Sequence, residues 1–72
     1  MSINLILDVV VPPVYPIGAA CEAATKLAQR TGCWVRFEWN GVEVTARGED
    51  NPFALAKQAS RVLDQGGKLA FL

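Results

Sequence analysis

Seventy-two residues, 51% hydrophobic and 19% charged, suffice for one small core but not for two. Seven basic side chains balance seven acidic ones, and histidine is absent. That balance excludes a charged, disordered tail and withholds the cationic surplus on which general nucleic-acid binding depends.

In Met1–Val11 the odd positions Ile3, Leu5, Leu7, Val9 and Val11 are all apolar, while Asn4 and Asp8 interrupt the even ones. Period two with β-branched residues predicts a strand over 1–11, buried enough to be central in a sheet. The run has no basic leader and is broken by Asp8, so it reads as a strand rather than an export signal. No stretch reaches the roughly 20 apolar residues of a membrane span. Residues 12–16, Pro-Pro-Val-Tyr-Pro, form a stiff connector in which Tyr15 is either a recognition knob or a lid on the core edge.

Over 17–31 the apolar residues Ile17, Ala20, Cys21, Ala24, Leu27 and Ala28 recur at three- and four-residue steps, which predicts a helix. Five alanines make it slim, Glu22 and Lys26 stand four apart, and Gly32 suits a left-handed stop. The span 34–47 then reads as a hairpin, because Asn40-Gly41 between alternating runs codes for a type I′ turn. The two-residue turn sets Trp39 opposite Val42, Phe37 opposite Val44 and Val35 opposite Ala46 on a core face. Trp34 with Arg47, Arg36 with Thr45, and Glu38 with Glu43 fall on the other face.

A second helix is expected over 51–65, with Asn51 as its cap and Pro52 at its first position. Phe53, Ala56, Ala59, Ser60 and Leu63 trace its inward stripe, widened by Leu55 and Val62. Gly66-Gly67 ends it, and 68–72 is apolar enough for a short edge strand. The order predicts a single-domain α+β fold, ferredoxin-like βαββα(β). In that fold both helices cover one face of an antiparallel sheet, and the first and third strands lie in the middle.

Chemistry-bearing residues are few. Without histidine, and with no nucleophile elbow, phosphate loop or dinucleotide fingerprint, the reading is non-enzymatic, and neither cofactor nor metal is expected. Cys21 and Cys33 are too far apart for a redox or zinc motif and read as reduced thiols of a cytoplasmic protein, at least one of them in the core. Glu38 facing Glu43 reads as two solvated carboxylates rather than a cation site. Trp34, Arg36, Thr45 and Arg47, on the sheet face away from the helices, form the candidate site together with Tyr15. Tryptophan and arginine are the residues most enriched at protein interfaces.

The stretch Gly18 to Gly48 resembles the histidine phosphocarrier proteins of sugar phosphotransferase systems, where a helix precedes a hairpin with a similar Asn-Gly turn. That family's phosphorylated histidine would fall near Ala20 and its arginine near Glu22, so the activity does not carry over. The segment Arg36–Arg47, with the acidic turn and Pro52 after it, resembles short proteins of bacteriophages and prophages. That resemblance implies an accessory protein acting in the host cytoplasm, such as an inhibitor of a bacterial defence component.

The expected function is therefore a protein-interaction module with a protein partner. A neutral chain with two edge strands also points to a homodimer. The alternative is a nucleotide-binding or sequestering protein with a pocket at the dimer seam, near Tyr15, Trp34, Arg36 and Arg47. Neither membrane nor nucleic acid is expected as a partner.

Overall fold

The computed structural model describes residues 5–12 and 14–72. The start of the predicted first strand, residues 1–4, and Pro13 of the connector lie outside the described residues.

The elements follow in the order β1 (Ile6–Asp8), α1 (Ile17–Thr31), β2 (Trp34–Trp39), β3 (Val42–Ala46), α2 (Pro52–Asp64) and β4 (Leu69–Ala70). Asn40 and Gly41 take φ of 50° and 80°, the double left-handed geometry of a type I′ turn. The turn aligns Trp39 with Val42, Phe37 with Val44 and Val35 with Ala46. Gly32 stops α1 at φ 72°, its N–H donating to the Ala28 carbonyl. Asn51 caps α2 by accepting from the amides of Phe53 at 2.9 Å and Ala54 at 3.3 Å.

The sheet is mixed rather than antiparallel. Its order is β1-β2-β3-β4, with β1 parallel to β2, β2 antiparallel to β3, and β3 parallel to β4. The expected ferredoxin-like order, with the first strand central, is therefore not the one adopted. The hairpin strands β2 and β3 hold the centre, while β1 and β4 form the two edges. The registered pair Asp8–Arg36 accompanies this order, the guanidinium donating two hydrogen bonds to the carboxylate across β1 and β2 on the solvent side.

The regular part of β1 is three residues long, and all three are exposed. The apolar alternation arises differently from a central strand. Val9 still donates to the Arg36 carbonyl, and Val9 and Val11 then pack against the core from the start of the connector.

Both helices cover one face, packing on each other and on the hairpin. The core joins Ala20, Cys21, Ala24 and Ala28 of α1, Val35, Phe37, Val42, Val44 and Ala46 of the hairpin, Leu55, Ala59 and Val62 of α2, and Ala70 of β4. The inward stripe of α2 is thus Leu55-Ala59-Val62 with Ala56 beside it, so Ala59 and the widening residues Leu55 and Val62 are buried as expected, while Phe53 and Leu63 are not. Phe53 is 78% exposed, because α2 is rotated to seat Leu55 on the sheet. Thr25, not foreseen as buried, lies inside the α1 face, its hydroxyl donating to the Glu22 carbonyl at 3.0 Å.

Candidate functional site: the open sheet face

Side chains alternate across a sheet, so the residues between the core positions form the second face. Trp34, Arg36 and Glu38 of β2, Glu43 and Thr45 of β3, Ile6 and Asp8 of β1, and Leu69 of β4 share it by register. No element among the described residues covers this face.

Four of the five expected site residues come together here. Trp34 is half-buried, and the Arg47 guanidinium carbon lies 5.9 Å from its ring centroid. Trp34, Thr45 and Arg47 line a hollow of about 320 Å³ with Ile6, Phe71 and Leu72. Tyr15 does not join them. It lines a separate apolar hollow with Val9, Ala20, Leu27, Val35 and Phe37, on the helix side of the sheet.

The arginines are already engaged. Arg36 donates from Nε to Asp8 Oδ1 at 2.6 Å and from Nη2 to Asp8 Oδ2 at 3.0 Å, and its Nε lies 3.0 Å from Glu43 Oε1. The hydrogen bond to Arg36 holds the Asp8 carboxyl below the usual aspartate range, and Asp8 in turn raises the guanidinium. Arg47 is fixed by Asp50, which accepts from its main-chain N–H at 2.9 Å and its Nε at 3.2 Å. Its Nε also lies 3.4 Å from Glu49, and its Nη2 donates to the Leu72 main-chain oxygen at 2.9 Å. Asp50 is itself buried, so this clamp ties the β3 exit to the end of the chain past β4. Among the described residues no buried side-chain polar atom lacks a partner.

The pairing of Asp8, Glu49 and Asp50 with these arginines escaped the sequence reading, as did Ile6 and Phe71, which are 43% and 61% exposed. Strand parity was the available signal, since Ile6 and Asp8 share one parity of the first run. It becomes usable only once β1 is known to lie beside β2. Glu38 stands opposite Glu43 as expected, the former exposed and the latter leaning on Arg36.

Among the described residues there is no cluster of metal-ligating side chains, and no helix is long and apolar enough to cross a membrane. Cys21 is buried, and burial pushes its thiol up to about 11; Cys33 is half-buried, and both thiols are free. Comparison with protein-family models, curated proteins and solved structures finds no match to this chain.

Proposed function

We propose that this protein is a non-enzymatic protein-interaction module whose docking surface is the open sheet face around Trp34. The observation that carries the reading is the indole set between exposed Ile6 and Phe71, with its cationic neighbour Arg47 held rigid by Asp50. A half-covered aromatic flanked by apolar residues and a preorganised arginine is the composition of an interface hot spot. Rigid side chains also lose little entropy on docking. The hairpin's resemblance to phage proteins extends the proposal to a host component as target, with inhibition of a defence system as the role.

The nucleotide alternative requires an arginine free to take phosphate. Arg36 and Arg47 each face two carboxylates, and Tyr15 stands across the sheet from both, so this reading ranks second. A pull-down tests the first reading. The wild-type chain should recover a protein that Trp34→Ala loses, while the variant keeps its circular dichroism and a cooperative melt. Recovery of the same protein by the folded variant would end the proposal.

A further inference from the structure

The charges of this neutral chain are sorted by side. On the open face and its adjoining turn, Asp8, Glu38 and Glu43 gather around Arg36, and Glu49 and Asp50 around Arg47, five carboxylates to two cations. On the helix layer, Arg30, Lys57 and Arg61 form no ion pair among the described residues. Beside them on α2 projects Phe53, the aromatic that the core does not use. Phe53, Lys57 and Arg61 line one open groove at the helix surface, with the carboxylate of Asp64 at its end, so the groove carries two cations against one acid.

We infer that the open sheet face receives helix α2 of a second copy of this chain, with Phe53 as the anchor. The inference rests on the docking-surface reading and names the occupant. Charge selects a second copy, since the open sheet face is acidic and the groove on α2 is cationic, and the repeats of helix and strand are close enough to let the residues meet. Phe53, Lys57 and Arg61 are successive fourth residues, so they step along the helix by about 6 Å. Trp34, Arg36 and Glu38 are alternate residues of β2 and step by about 7 Å along the strand. A helix laid along β2 sets Phe53 in the hollow beside Trp34, Lys57 over the carboxylates of Asp8 and Glu43, and Arg61 against Glu38.

The two patches differ, so the contact is head-to-tail, and each copy keeps one patch of either kind free for the next. A contact of this size is weak and rests partly on exposed charge, so it is sensitive to salt. A target protein presenting the same apolar–cation–cation pattern competes for the same face.

Sedimentation of the intact chain tests this. At roughly 100 µM, a concentration suited to a small, weak interface, and in low salt, the weight-average mass should exceed the monomer's 7.8 kDa. It should return to the monomer value near 1 M salt, where the screening length is about 3 Å. Phe53→Ala, an exposed change, should abolish association. Glu38→Lys and Arg61→Glu should each weaken it, and the two changes in one chain should restore it with the signs exchanged. A wild-type chain that stays monomeric, or a charge swap no better than its single changes, overturns self-docking. Neither result touches the Trp34-dependent capture of a foreign protein, which has its own test. Association that survives Phe53→Ala also overturns it and moves the contact to the free edge of β1.

Discussion

Phe37 and Trp34 lie three residues apart on β2, on opposite faces, and truncating each to alanine measures how differently those faces are built. Phe37 is 2% exposed within the core, so its removal loses transfer free energy and also leaves a sealed void. Buried phenylalanines truncated this way lose about 3–5 kcal/mol. A chain of 72 residues at ~0.05–0.15 kcal/mol per residue has only about 4–11 kcal/mol in total. Phe37→Ala therefore removes a large share of the stability or all of it. Trp34 is covered on one side by Ile6, Arg47 and Phe71 and open on the other, so water fills the space its removal leaves. At roughly 25 cal/mol per Å² over the covered two thirds or more of the side chain, with no cavity, the loss is about 2–3 kcal/mol. For a domain of this size each kcal/mol moves Tm by roughly 4–8 °C. Thermal and urea melts followed by circular dichroism should show Phe37→Ala losing clearly more than Trp34→Ala loses. Equal losses, or a larger loss at Trp34, would mean the indole is sealed and the sheet has no free face.

Gly41→Ala should cost about 1 kcal/mol, since φ of 80° suits glycine and strains an L side chain; the urea midpoint reads this, and an unchanged midpoint would count against the type I′ turn. Near pH 8 a thiol reagent should add once, at half-buried Cys33, because burial holds Cys21 protonated with its thiol up at about 11; mass spectrometry showing two additions at equal rates would refute that burial. Asp8 titrates below the ordinary aspartate value in the folded chain, so its contribution is intact above that value and is lost as pH falls through the lowered one. Carboxyl-detected NMR should show Arg36→Gln returning Asp8 toward the ordinary range, and a titration unmoved by the substitution would refute the clamp.

What could be read in the sequence was local, and what could not was pairing across long separations. The register of the hairpin, the Asn51 cap and the Gly32 stop each follow from a few adjacent residues whose backbone preferences admit one answer. The place of β1 depends on which strand its edge meets after a crossover, and hydrophobic content misled there. The apolar run of residues 5–11 serves a short exposed strand and then an extended segment, of which Val9 and Val11 pack at the margin of the core. Charge carried a usable hint, since Asp8 in a predicted strand breaks its apolar run and stands level with the opposite charge of Arg36 on the neighbouring strand.

The same reasoning explains how the candidate site was half found. Parity along the hairpin placed Trp34, Arg36, Thr45 and Arg47 on one face, but it could not show that carboxylates from β1 and from the turn after β3 had already claimed both arginines. That difference decides the chemistry. Free guanidinium groups beside tryptophan would suit phosphate and bases, whereas here both guanidinium groups are already paired with carboxylates. In the self-docking we infer, the exposed aromatic on α2, left over when Leu55 rather than Phe53 turned to the sheet, would enter the hollow beside Trp34 with Lys57 and Arg61 following it along the helix.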